Sequence, residues 1–272
     1  MGPARVLRLV LAYDGTAYAG WQVQPDASTV QGALLGAARP LLGSDVRFTG
    51  ASRTDAGVHA LGQVASVRTD SGLPPAAVRG ALNAGLPADI RVLEASDAAA
   101  AFDARRSARG KRYVYLIDNG PVASPLLLRY AWHVPAPLDV EAMRRALAPL
   151  RGRHDFSAFC AAAGRAATPV CVVRALHVMR RHRWLALFVS ADRFIHHMVR
   201  TIVGSAVAVG RGGRPPQWLA EVLAGRDRRR AGPTAPARGL TLLRVLYRPS
   251  TQDQRQPDEA SPSQQKDGDS ER

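Results

Sequence analysis

The chain has 272 residues, of which 46% are apolar and 22% charged; this excludes a wholly disordered chain and suffices to bury a core without disulfide staples. Lysine and arginine number 37 against 22 acidic residues, a formal net charge of +15, so polyanions are the expected partners. No stretch approaches the ~20 apolar residues of a membrane span, and Cys160 and Cys171 fit neither a disulfide framework nor a zinc knuckle, so a cytoplasmic protein with two buried thiols is expected.

In chain order, the first half reads as strand Val6–Ala12, helix Thr29–Arg39, strand Val46–Ala51, strand Gln63–Thr69, helix Pro75–Asn83 and strand Ile90–Glu94. Ser28-Thr29-Val30-Gln31 has the form of a capping box, and Val30, Leu34, Leu35 and Ala38 recur at helical spacing. The second half reads as strand Arg112–Ile117, helix Val140–Leu147 behind an Asp139 N-cap, a hairpin of Val172–Met179 with Trp184–Ser190, helix Phe194–Val209, helix Gln217–Leu223 and strand Leu240–Tyr247. Both halves have the order βαββαβ, so the expected fold class is α+β, with two ferredoxin-like (RRM-like) subdomains whose antiparallel sheets flank a basic cleft. The expected boundaries are residues 1–105, 106–248 and a disordered tail over 249–272, where Gln, Ser, Asp and Pro follow no period. Without that acidic tail the body carries 34 basic and 16 acidic residues. All but two of the cations are arginines, whose forks suit phosphate; a GC-rich genome would replace Lys by Arg without creating such a surplus.

Five clusters hold the polar chemistry. Gly50 to Ala60 packs Arg53, Asp55 and His59 among small residues between two strands; on composition it is either a surface loop with a local Arg53–Asp55 pair or a site with room to reach Asp55. Tyr13 to Gln22 offers three aromatics that either stack bases or plug a core, with Asp14-Gly15 first of all a turn. Lys111, Tyr113 and Tyr115 share one face of a strand. On the expected helix His196 and His197 lie four and three residues before Arg200, on one side; adjacent histidines diverge by ~100°, and no carboxylate or cysteine in the cluster completes a metal site. Ala231 to Leu240 is a Pro/Gly loop entering the last strand.

Taken together, Tyr13-Asp14-Gly15, Gly20-Trp21-Gln22, Arg53-Thr54-Asp55-Ala56-Gly57-Val58-His59, Phe194 to Arg200 and the Ala231 to Leu240 loop resemble, in order and content, the TruA family of tRNA pseudouridine synthases, over about Val6 to Tyr247. The resemblance implies an isomerase, an intramolecular transferase acting on uridines at positions 38 to 40 of the tRNA anticodon stem-loop, working as a homodimer with no cofactor and no metal. It implies Asp55 as the catalytic aspartate, Arg53 in the space vacated by a flipped base, Tyr113 against the substrate base, Arg200 paired with the aspartate and Leu240 in the pocket wall. Ser52 stands where many members have Gly, and fits if its backbone avoids positive φ; Thr241 stands where many have an aromatic.

The implied reaction explains the residue types. The N1–C1′ bond of uridine breaks, the uracil turns, a C5–C1′ bond forms and C5 gives up its proton, with no net redox change. An ionised oxygen near C1′ or C6 is required, and an arginine partner is expected to orient it. Two rivals carry different expectations. A non-catalytic double RRM-like RNA-binding protein needs no carboxylate beside Arg200, and its aromatic-rich strings are missing. A carboxylate-dependent hydrolase needs a second acid, for which Asp14 is the candidate.

Overall fold

β1 (Arg5–Tyr13), α1 (Val30–Leu42), β2 (Phe48–Gly50), β3 (His59–Thr69), α2 (Pro75–Gly85) and β4 (Ile90–Ala98) make up the first half of the protein, seen in a computed structural model that describes residues 4–161 and 168–248. The second half contains β5 (Gly110–Asp118), β6 (Trp132–His133), α3 (Val140–Leu147), β7 (Gly152–Asp155), β8 (Val170–Arg181), β9 (Trp184–Ala191), α4 (Met198–Gly210), α5 (Trp218–Gly225) and β10 (Leu240–Leu246). The tail expected over 249–272 lies outside the described residues.

The strands form one sheet in the order β4-β1-β3-β10-β5-β9-β8-β7, with β2 paired to β3 and β6 to β5. Pairing is antiparallel except for β10 with β3 and β5 with β6, so the fold is mixed α+β around a large, mostly antiparallel sheet. The two separate sheets expected from the element order are joined edge to edge. β10 runs antiparallel along β5 from Leu240 opposite Tyr115 to Leu246 opposite Gly110, and sets Thr241 and Leu242 parallel beside His59 and Ala60 of β3. A last strand that is apolar at Leu240, Leu242 and Val245 supplies side chains to the core while its backbone satisfies both neighbours.

Local chemistry sets the elements. Asp139 caps α3 by accepting the Ala142 N–H, and Val140, Met143, Ala146 and Leu147 bury one face of that helix. The capping box over Ser28–Gln31 is a different device from the one expected. Thr29 is the N-cap and accepts from the Gly32 N–H, while the Gln31 amide turns inward and donates to the Phe48 carbonyl, tying α1 to β2. β1 and β9 alternate in burial as strands covered on one face do, whereas Val64 to Val67 of β3 are buried without a break. The segment after β4 crosses that second face and is pinned by the Ala104 N–H on the Ser66 hydroxyl. One expected boundary shifts, and two short strands were not expected, each for a physical reason. α4 starts at Met198, not Phe194, because His197 takes a left-handed backbone (φ 63°) that breaks the helical run. β6 and β7 are too short to show alternation in sequence.

Candidate active site

The loop between β2 and β3 is held from beneath by the Tyr13–Gln22 segment. The Trp21 N–H donates to the Thr54 carbonyl, the Gly57 N–H to the Tyr18 carbonyl, and the Tyr13 phenol shares a hydrogen bond with the Thr54 hydroxyl. Tyr13, Tyr18 and Trp21 are all buried, so these aromatics plug the core under the loop; the base-stacking alternative does not hold. Gly57 has φ +75°, a left-handed turn that suits glycine and lets the loop fold back. Ser52 avoids positive φ, as its place in the loop requires. It is clamped on both sides by the buried Gln63 amide, which accepts the Ser52 N–H and donates to the Ser52 carbonyl. Its hydroxyl lies 2.8 Å from the Tyr113 phenol.

Asp55 points from this loop towards the start of α4. Arg200 Nη1 lies 3.0 Å from Asp55 Oδ2 across 145 positions of sequence, while the Arg200 Nε donates to the Ala235 carbonyl at 2.8 Å and the Ala235 N–H returns to the Arg200 carbonyl. The local Arg53–Asp55 pair considered from sequence is thus absent; Arg53 is exposed on the cleft wall. The Pro/Gly loop becomes a structural member, because it carries Ala235. It can lie on α4 because Gly204 has no side chain: a Cβ there would come within 1.8 Å of the Pro233 carbonyl oxygen. The Ser205 hydroxyl accepts the Gly232 N–H and completes the seat.

The histidines correct the sequence reading. Since the helix starts after them, their rings do not diverge. The centroids are 3.9 Å apart, His196 Nε2 lies 3.7 Å from Asp55 Oδ1, and His197 Nε2 lies 3.5 Å from Asp55 Oδ2. A carboxylate therefore does join this pair, and sequence order gave no hint of it because Asp55 lies in the other half. Burial holds the His197 imidazole below its ordinary pKa; Asp55 opposes that, and His196, Arg200 and Arg228 reinforce it.

These groups line an open cleft of about 1470 Å³ together with Tyr113, Phe194 and Leu240. Arg53, Arg105, Arg106, Lys111, Arg174 and Arg193 supply positive wall; the carboxylates in the wall are Asp55 and Asp192. Asp192 accepts the Val172 and Arg193 N–H groups at its Oδ1. Lys111 is lowered to about 8 by burial and by Arg105. Tyr113 is buried edge-on to Phe194, at 5.0 Å between centroids, and burial pushes its phenol up to about 12, so it stays protonated at neutral pH. Leu240, at the start of β10, lines the same cleft. All five residues singled out by the resemblance, Asp55, Arg53, Tyr113, Arg200 and Leu240, thus meet in one cleft. Asp14, the second acid of the hydrolase alternative, does not line it. Burial raises its pKa, but hydrogen bonds from the Thr16 N–H and hydroxyl and from Tyr130 outweigh this and hold its carboxyl below the ordinary value in a turn. Sequence reasoning missed Ser52, Gln63, His196 and His197 as parts of the site; the signal within reach was the polar Gln63 at an inward strand position.

A family profile described as tRNA pseudouridine synthase matches residues 9–105 and 146–248. The chain belongs to the tRNA pseudouridine synthase family. Among its relatives in that family, tRNA pseudouridine synthase A of Myxococcus xanthus is 49% identical over 243 residues, covering 89% of this chain and 92% of the relative. The synthase of the same name from Moorella thermoacetica is 47% identical, covering 89% and 99%, and that of Syntrophotalea carbinolica 45%, covering 90% and 97%. By shape, a chain of a solved Cbf5-Nop10-Gar1 complex covers 87% of this chain and 48% of its own length at a TM-score of 0.34 and 13% identity, a likeness too loose to assign a fold. Pseudouridine synthases are isomerases, and an arginine-held carboxylate in a basic cleft is a feature that a binding-only RNA protein has no use for.

Proposed function

We propose that this protein isomerises uridine to pseudouridine at positions 38 to 40 of the tRNA anticodon stem-loop, with Asp55 as its catalytic residue. The observation that carries the proposal is the Asp55 carboxylate, held at one oxygen by Arg200 and open to a cleft walled by arginine. In this reading arginine forks along the wall take the RNA phosphates, and the target nucleotide leaves its stack at a cost of a few kcal/mol. Arg53, exposed and beside Asp55 in the loop, fills the vacated space. The extruded uracil packs on Tyr113, while Leu240 limits how far the base can move. The N1–C1′ bond then breaks, the uracil turns, the C5–C1′ bond forms, and the proton lost from C5 is balanced by the one gained at N1. In every available route the acting atom is an Asp55 oxygen, as nucleophile toward C1′ or C6 or as base toward the sugar. The chemistry draws on no cofactor.

The finer architecture belongs to the same reading. β4-β1-β3 with β2 on β3, and β10-β5-β9-β8, repeat one strand order, which supports two ferredoxin-like subdomains over 1–105 and 106–248. The protein acts in the cytoplasm as a homodimer, for which Val122 and Leu126, 73% and 85% exposed, offer apolar surface.

The test is incubation of purified protein with anticodon stem-loops bearing uridine at 38, 39 or 40, read out by carbodiimide modification and primer extension. Stops at these positions are expected, and stem-loop binding that weakens steeply with salt, at ~0.7–0.9 in log K per log salt for each phosphate contact. A protein that binds the stem-loops and forms no pseudouridine on them or on whole tRNA overturns the proposal.

A further inference from the structure

We propose that Asp55, His196 and His197 form a binding site for one divalent transition-metal ion of the zinc class, and that a metal held there withdraws the Asp55 carboxylate from use. Their ligand atoms all lie within 4.8 Å of one another, and each imidazole Nε2 approaches the carboxylate at 3.5 to 3.7 Å. A tetrahedral ion with bonds of about 2.0–2.1 Å separates its ligands by roughly 3.3 Å, so small side-chain rotations bring the three atoms onto one centre. Two imidazoles and one carboxylate are a donor set suited to Zn²⁺, Co²⁺ or Ni²⁺, whereas Mg²⁺ prefers oxygen ligands and keeps its waters.

The backbone already aims these ligands. The left-handed conformation of His197 puts its ring beside that of His196, the His196 carbonyl is fixed by the Ala161 N–H, and the Asp55 carbonyl is fixed by the Val58 N–H. Neither imidazole has a hydrogen bond to another described residue, so no partner has to be displaced. Arg228 opposes a cation here, and the opposing charge in direct contact with the site is Arg200. It holds Asp55 Oδ2 and is itself clamped to Ala235, which leaves Oδ1, the oxygen nearest His196, as the metal's oxygen ligand. An ion beside a guanidinium binds less tightly than one in an all-anionic cage, so micromolar affinity is expected, with exchange on and off. The protein then has a reversible off state under transition-metal excess. The inhibitory half of this proposal rests on the synthase reading; the binding half does not.

The test uses the full chain without RNA. Co²⁺ titration should give visible d–d absorption saturating at one ion per chain, Zn²⁺ should displace it at micromolar concentration, and millimolar Mg²⁺ should not. His196→Gln and His197→Gln, each checked for folding by its thermal transition, should each weaken Co²⁺ binding tenfold or more. On the wild type, Zn²⁺ should stop pseudouridine formation over the concentration range in which it binds, and a chelator should restore it. Absent Co²⁺ absorption, or affinity unchanged in both histidine variants, overturns the site. Binding through these histidines with undiminished synthase activity overturns the inhibitory half. One ion bound through the histidines in a protein that modifies no tRNA upholds the site while overturning the synthase reading.

Discussion

Two carboxylate–arginine pairs in this molecule look alike on paper and behave as opposites. Asp118, at the end of β5, is 4% exposed and has its acceptor positions filled: Arg183 donates through Nε and Nη2 at 2.7 Å each, and the Gly120 and Ser124 N–H groups take the remaining lone pairs. Asp55 is 22% exposed and, among the described residues, has one guanidinium contact, two imidazoles beyond hydrogen-bond range and no backbone N–H on its carboxylate. Burial alone raises the Asp118 pKa, and the hydrogen bonds from Ser124, Arg183 and Gly120 outweigh that and hold it below the ordinary carboxylate value. A carboxylate with every lone pair engaged has nothing left for a substrate and serves the fold. One with lone pairs facing a basic cleft costs the fold some satisfaction and keeps an oxygen for chemistry.

The contrast breaks most sharply at Asp55. If the chemistry runs through Asp55 as proposed, Asp55→Asn, which preserves shape and removes the charged carboxylate, should take turnover below detection while stem-loop affinity and the thermal transition stay near wild type. Residual turnover above a few per cent would place the chemistry elsewhere. Next comes Arg200→Ala, which leaves the carboxylate unaimed; a loss of roughly 10²–10³-fold in the single-turnover rate is expected, with binding changed far less. Asp118→Ala should do the reverse. It removes one partner of a buried pair and costs about 3 kcal/mol of stability, at the low end of the range because Arg183 reaches solvent, with the rate per folded molecule kept. Because the Asp118 pKa is depressed in the folded protein, its contribution is present above about pH 4 and is lost as acid protonates it, so Asp118→Ala should flatten the fall in stability below pH 4 in urea titrations. The smallest effect separates ring from hydroxyl at Tyr113. Tyr113→Phe loses only the Ser52 hydrogen bond, about 1 kcal/mol, whereas Tyr113→Leu loses a stacking face as well, ~1–3 kcal/mol per base. Equal rates for Tyr113→Leu and wild type would make Tyr113 a core residue only.

Legibility followed the range of the forces involved. α3 begins at its Asp139 N-cap and runs as far as its apolar spacing indicates, because both signals are local. The fate of Trp21 was not legible: the same aromatic in a Gly-bounded loop serves stacking or packing, and only the loop above it decides. The α4 boundary turned on one dihedral at His197, and the convergence of His196 and His197 on Asp55 followed from that dihedral. The Asp55–Arg200 pair spans both halves, so periodicity is silent on it; the resemblance supplied it. The union of two sheets into one depended on β10 lying beside β3 for two residues, a contact that no alternation pattern encodes.

That union has a bearing on how the chain is made. β10 follows every other described strand off the ribosome, yet it is the strand on which both halves close. Until Leu240 to Leu246 emerge, β5 presents unpaired backbone from Gly110 to Tyr115 and β3 at His59 and Ala60, an invitation to pair with another nascent chain. A product stopped short of Leu240 would carry Asp55 and Arg200 and still lack the seam that brings them face to face. Interrupted synthesis therefore yields sticky, inactive fragments for the cell's disposal machinery, not slow enzymes loose among its tRNAs.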